Sequence, residues 1–190
     1  MKLRPTDLPG CVIVEPDVFG DARGCFFETW NRSRYADAGL DFPVAQSNVS
    51  VSERGVLRGL HYQWPNPQGK LVWVLEGEVY DVAVDIRRGS PSFGQWTAVY
   101  LSAENRRQLW IPEGFAHGFA TVSERAVFCY VCTREYDPAA DANLLWNDAE
   151  LAIDWPVSGP SLSGKDARAP LLRDIPAERL PLFAAEGASQ

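Results

Sequence analysis

Val79-Tyr80-Asp81-Val82-Ala83-Val84-Asp85-Ile86-Arg87 alternates, with apolar Tyr80, Val82, Val84 and Ile86 at the even positions and Asp81, Asp85 and Arg87 between them. Successive side chains on a strand point to opposite faces, so a period of two reads as a β-strand with one buried face, and this places Asp81 and Asp85 on a solvated or interfacial face. Gly89-Ser90-Pro91 closes the run. Trp96 to Leu101 and Gln108 to Ile111 follow as further strands, and helical periodicity is visible only around Trp30 to Ala38. The chain is therefore mainly β, and many short strands at this spacing suit a sandwich, jelly roll or barrel. Beyond Tyr136 the character changes. Pro138, Pro156, Pro160, Pro170, Pro176 and Pro181 predict a loop-rich segment with short helices wrapping the barrel. Residues 1–183 read as one domain, and 184–190, small and polar, as a frayed tail.

The 190 residues carry a net charge of -7, with no run of Lys or Arg longer than two, which argues against a general grip on nucleic acid. No apolar run approaches the roughly 18 residues of a membrane-spanning helix. The amino-terminal residues lack the apolar core of a signal peptide, so the expected compartment is the cytoplasm. The four cysteines are then expected as thiols. Cys129 and Cys132 form a C-x-x-C, but on a strand positions three apart face opposite sides, which removes a zinc or redox reading.

Both histidines of the chain sit beside glycines, in Arg58-Gly59-Leu60-His61-Tyr62-Gln63 and Pro112-Glu113-Gly114-Phe115-Ala116-His117-Gly118. The second stretch matches P-x-G-x-x-H, and Gly55 stands six positions before His61. In this order on a β-rich chain, the two motifs resemble those of the cupin family of jelly-roll barrels. Metal cupins place a second His where this chain has Gln63, and a Glu where it has Lys70. An ammonium repels a cation, so the pattern resembles a cupin whose metal has given way to a fixed positive charge suited to an anion or enolate. His61 has Arg58, Gln63 and Lys70 on the same short segment, which favours a functional role. For His117 a functional and a structural role stand even. In Gln46-Ser47-Asn48-Val49-Ser50-Val51 the polar residues at even positions form an amide-bearing face that reads equally as a ligand contact or a solvated face. Tyr130 and Tyr136 share a face by alternation and, by themselves, read as packed aromatics.

Several short stretches together resemble one family: Asp21-Ala22-Arg23-Gly24, Phe26-Phe27-Glu28, Gln46-Ser47-Asn48, Arg58 to His61, Asp81 to Arg87, Gly89-Ser90-Pro91, Pro112 to Phe119, Tyr136-Asp137-Pro138 and Leu162 to Asp166. The chain is identified by them as resembling the dTDP-4-dehydrorhamnose 3,5-epimerases, from about Cys11 to Pro170. The resemblance implies a cofactor-free cupin-type homodimer that inverts C3 and C5 of dTDP-4-dehydro-6-deoxy-D-glucose. It implies His61 as general base, Asp166 as the carboxylate orienting it, Tyr130 as general acid and Lys70 as the charge beside the sugar 4-oxygen. Arg23 and Glu28 resemble nucleotide contacts reaching across the dimer, and Gln46, Asn48, Arg58, His117 and Lys165 further substrate contacts. Tyr136 resembles a thymine-stacking ring. Two positions depart from the family pattern: Asp141 replaces a usual Glu, shortening that contact, and Cys132 stands where many members have Lys.

The rival readings are a monoepimerase or ketoisomerase of related dTDP-deoxysugars, a noncatalytic nucleotide-sugar-binding cupin, and a metal-dependent cupin dioxygenase. Gln63 and Lys70 disfavour the last, since they occupy its ligand positions. Epimerase activity is accordingly expected to survive exhaustive chelation. Loss on chelation, with recovery on adding a divalent ion, would overturn that expectation.

Overall fold

The computed structural model describes residues 1–183; the tail expected at 184–190 lies outside the described residues. Its strands are β1 (Lys2–Pro5), β2 (Val12–Glu15), β3 (Val18–Asp21), β4 (Gly24–Phe27), β5 (Gln46–Glu53), β6 (Leu57–Gln63) and β7 (Lys70–Glu76). They continue as β8 (Glu78–Asp85), β9 (Trp96–Ser102), β10 (Gln108–Ile111), β11 (Phe115–Thr121), β12 (Arg125–Cys132) and β13 (Asp141–Asn143). Two antiparallel sheets face each other, ordered β1-β2-β10-β7-β12-β5 and β13-β6-β11-β8-β9, while β3 and β4 form a separate hairpin. This is a cupin-type jelly roll, as the sequence predicts. The short strand β13 was not foreseen in the loop-rich segment; it pairs with the edge of β6.

Apolar side chains fill three layers. Between the sheets lie Val72, Val74, Val79, Ala83, Leu101, Phe119 and Phe128. Outside the five-stranded sheet, Val82, Val84 and Ile86 pack against Leu151, Leu172, Ile175 and Leu180 of the carboxy-terminal wrap, which includes 3₁₀ turns at Asp166–Arg168, Leu172–Asp174 and Ala177–Arg179. Outside the six-stranded sheet, Leu71, Trp73, Cys129 and Val131 pack against Tyr35, Leu40 and Phe42. Tyr35 belongs to the one α-helix among the described residues, α1 (Arg32–Asp37), within the predicted span. The Asn31 side chain caps it by accepting from the Arg34 amide, a bond that satisfies an otherwise orphaned donor.

These layers correct the reading of β8. Its even positions do pack, but under the wrap, and its odd positions point between the sheets, so Asp81 and Asp85 are both fully buried. With both faces of the sheet covered, alternation on β8 separates the outer layer from the barrel interior and not core from water. Asp85 accepts from the Arg87 amide and guanidinium and from the hydroxyls of Ser90 and Ser92. It thereby organises the turn at Gly89-Ser90-Pro91.

Cys129 faces the outer layer, whereas Cys132 adjoins Lys70 in register and approaches Asn48 on the inner side. The two thiols do indeed face opposite ways, and all four cysteines are free.

β6 and β11 approach closely beside the histidines. A Cβ on Gly118 would lie 2.7 Å from the Arg58 carbonyl oxygen and 3.0 Å from Gly59 Cα, both backbone atoms that cannot step aside. Gly59 has φ +135°, and a Cβ there would come within 2.5 Å of Gly118 Cα. Gly118→Ala is therefore expected to destabilise the fold by roughly 1–3 kcal/mol, the usual range for overpacking. Thermal unfolding reads this, and an unchanged midpoint would refute the close-packing argument.

Candidate active site

Between the sheets lies a cavity of about 280 Å³, bordered by Ser50, Arg58, His61, Lys70, His117, Phe119, Phe128, Tyr130, Ser163, Lys165 and Asp166. Strand register brings these residues together. His61 on β6 stands directly opposite His117 on β11. On the facing sheet Tyr130 of β12 lies beside Asn48 of β5, and Cys132 beside Lys70 of β7. The two histidines thus come from one wall, and Tyr130 and Lys70 from the other.

Each imidazole has a carboxylate. His61 Nε2 lies 2.6 Å from Asp166 Oδ1, and His117 Nε2 lies 2.9 Å from Asp81 Oδ2. Burial by itself would raise the Asp166 carboxyl. The hydrogen bond and charge of His61, with bonds from Ser163 and the Gly59 amide, outweigh burial and hold it below the usual carboxylate range. Burial dominates the other pair, pushing Asp81 up and His117 down despite their mutual attraction. The His117 ring also stacks on Phe128, at 6.0 Å between centroids. Burial raises the Tyr130 phenol, keeping it protonated, and lowers the Lys70 ammonium.

Of the residues singled out in the sequence, seven border the cavity: Arg58, His61, Lys70, His117, Tyr130, Lys165 and Asp166. Gln46 and Asn48 sit beside it, joined by a 2.8 Å hydrogen bond, and Gln46 Oε1 accepts from the Tyr136 amide at 2.7 Å. The polar face of β5 is half-buried on the inner side, while Val49 and Val51 on its other face are exposed, 63% and 47%. Asp141 pairs with Lys165 and accepts from the Tyr136 hydroxyl at 3.2 Å, so the shorter side chain retains partners. Tyr136 does not share a strand face with Tyr130, because β12 ends at Cys132 and the chain turns away. Arg23 and Glu28 lie away from this cavity, at the hairpin and the loop after it, where Arg23 pairs with Asp21 and Glu28 with Arg34. Gln63 is turned to structural work, donating to the Asn66 carbonyl and accepting from the Asp137 amide.

Sequence reasoning missed Asp81, Ser163, Phe119 and Phe128, while Ser50 lies on the polar face of β5 that it read as ligand-facing or solvated. For Asp81 the signal was present: an aspartate inside an otherwise apolar strand, whose partner His117 could be found only from the register of β8 with β11.

A jelly-roll barrel with a histidine–carboxylate pair on one wall of its cavity and a half-buried phenol on the other has the build of a cupin-type isomerase. Comparison with known proteins makes the class specific. The family model of dTDP-4-dehydrorhamnose 3,5-epimerase matches residues 5–174. The enzyme of that name from Salmonella typhimurium is 56% identical over 170 residues, covering 88% of this chain and 93% of the relative. The crystal structure of dTDP-6-deoxy-D-glucose-3,5-epimerase from Legionella pneumophila, in complex with dTDP-4-keto-L-rhamnose, superposes with a TM-score of 0.94 at 51% identity, covering 97% of this chain and 99% of that one. NovW from Streptomyces spheroides, a 4-keto-6-deoxy sugar epimerase, gives a TM-score of 0.91 at 41% identity over 96% of this chain and 94% of its own. The chain belongs to the dTDP-4-dehydrorhamnose 3,5-epimerase family and is an isomerase.

Proposed function

We propose that the protein inverts C3 and C5 of dTDP-4-dehydro-6-deoxy-D-glucose by proton transfer through an enolate, with no metal or cofactor. One observation carries this reading: a paired imidazole and a half-buried phenol face one cavity from opposite sheets. Inversion at carbon needs a base on one side of the ring and a proton donor on the other. A 4-keto group acidifies the hydrogens on both neighbouring carbons, because loss of either gives an enolate delocalised onto the same oxygen. One site can therefore serve both centres.

His61 takes the proton, since a neutral imidazole has a ring nitrogen free to accept one, and Asp166 fixes its tautomer and balances the imidazolium formed. Tyr130, kept protonated by burial, delivers a proton from the opposite wall. Lys70 faces the developing oxyanion, an interaction of several kcal/mol in comparable sites. Arg58 and Lys165 supply positive charge for the diphosphate, which a chain of net charge -7 can meet only locally. Lys70 and Gln63 at the ligand positions of metal cupins support the metal-free route.

The working unit is a homodimer in which the partner's hairpin completes the nucleotide site. In support, Phe19 and Phe26 of the hairpin are 64% and 70% exposed, and Arg23 and Glu28 do not reach their own chain's cavity. Contiguous exposed apolar surface marks an interaction site. The cytoplasmic compartment remains part of this proposal; among the described residues no helix is long and apolar enough to cross a membrane.

A second reading, epimerisation at one carbon only, is supported by the likeness to ChmJ from Streptomyces bikiniensis, a 3'-monoepimerase with a TM-score of 0.86 at 38% identity over 94% of this chain and 92% of its own. Proton NMR of the keto-sugar nucleotide in D2O separates the two: deuterium at both C3 and C5 is expected, and deuterium at one carbon would establish the monoepimerase. In the same assay His61→Asn should lose both exchange and inversion by at least about 10²-fold. Tyr130→Phe should still exchange, with the His61 imidazolium returning the proton to the original face and configuration largely retained. Undiminished inversion in Tyr130→Phe would remove it from the acid role.

Shared sites are tested by mixing an Arg23→Ala chain with a His61→Asn chain. Hybrid dimers should regain one intact site, and absence of any recovery would refute the exchange.

A further inference from the structure

We propose that the stacked pair Phe119 and Phe128 seats the C6 methyl of the sugar and so selects 6-deoxy sugars over their 6-hydroxy counterparts. The assignment rests on the reading above, in which the sugar ring occupies this cavity. Phe119 of β11 and Phe128 of β12 come from opposite sheets, and their rings stack with centroids 4.1 Å apart and 19° between planes. The contact spans the barrel. The same two rings belong to the apolar layer of Val72, Val74, Val79 and Leu101, so they form the boundary between that layer and the cavity.

The nine other residues that border the cavity each carry a polar or charged group, which leaves the two phenylalanines as its apolar part among the described residues. The apolar patch is small. Phe119 is 4% exposed and Phe128 1%, which suits a single methyl group and not a longer chain. The sugar has a matching distribution. C2 and C3 carry hydroxyls, C4 a carbonyl, C1 the diphosphate oxygen and C5 the ring oxygen, while C6 bears no oxygen. A sugar that meets polar walls with its polar positions has only C6 to set against the patch.

Position agrees with the chemistry. The Phe128 ring lies 5.9 Å from that of Tyr130 and 6.0 Å from that of His117, centroid to centroid. A methyl on the patch therefore holds C5, one of the two carbons to be inverted, beside the proposed proton donor. A 6-hydroxyl there would lose its water without gaining a partner. Ser50 stands beside Phe128 in register, but its hydroxyl oxygen is buried out of reach of an incoming group.

The test uses the full-length enzyme and two ligands that lack the 4-keto group and so are not turned over, dTDP-6-deoxy-D-glucose and dTDP-D-glucose. They differ only at C6. The 6-hydroxy ligand should bind at least about tenfold more weakly, approaching the roughly 10²-fold by which an apolar pocket rejects an added hydroxyl. Equal affinities would overturn the proposal. With ¹³C-labelled phenylalanine and tyrosine in the enzyme, the methyl protons of bound dTDP-6-deoxy-D-glucose should show nuclear Overhauser contacts to the rings of Phe119 and Phe128. A methyl in contact with neither ring also overturns it, whatever the affinities. Contacts from the sugar ring to Tyr130 in that spectrum would then leave the proposed function standing, and their absence as well would remove the sugar from this cavity. Both measurements use the wild-type chain, so neither depends on a substitution at two core rings.

Discussion

Charged groups inside a closed β barrel keep their charge only where neighbours replace the water they have lost, and the active cavity is built around that constraint. Taking a carboxylate or ammonium out of water costs several kcal/mol even after the protein relaxes. The barrel answers by pairing. Asp166 meets His61, Asp85 is wrapped by Arg87 and two serine hydroxyls, Asp141 meets Lys165, and Asp81 meets His117. Lys70 is the cation that these contacts leave without a direct partner among the described residues, and it borders the cavity.

The covering layers make this chemistry possible. Helix α1 and its flanking loops seal the outside of one sheet, and the carboxy-terminal wrap seals the other. Once both outer faces are apolar and covered, the interior can carry polar side chains at one end without exposing the sheets to water. The same wrap carries Ser163, Lys165 and Asp166 to the cavity, so a segment that contributes packing also contributes half of the His61 pair. Packing and site geometry are coupled here. Loss of the wrap would strip the outer layer and the carboxylate together.

The jelly-roll topology explains how the His61 imidazole and the Tyr130 phenol come to oppose each other. β6 and β12 lie in different sheets, so inward side chains from each meet across the cavity. Backbone hydrogen bonding fixes their register, which sets His61 level with His117 and places Tyr130 two residues from Cys132 and hence near Lys70. A pyranose ring bound between the walls would present one face to each. This requires no movement of the backbone to bring the groups into opposition.

The strand periodicity, the turn residues and the short motifs around His61, His117 and Asp166 were enough to read the fold class and most of the cavity from the sequence. These features are local: a period of two, a glycine beside a histidine, a proline-rich end. What the sequence left open depended on which face of a strand is covered by what. Alternation on β8 assigns two faces but does not say that both are buried, so Asp81 read as solvated or interfacial when it is enclosed and paired with His117. On β5 the apolar valines face outward and the amides inward, the reverse of a simple half-buried strand. The pairing of His61 with Asp166, which only the family resemblance implied, joins residues 105 positions apart. Such contacts are set by sheet register and by the path of the wrap, long-range outcomes of packing that no local pattern encodes.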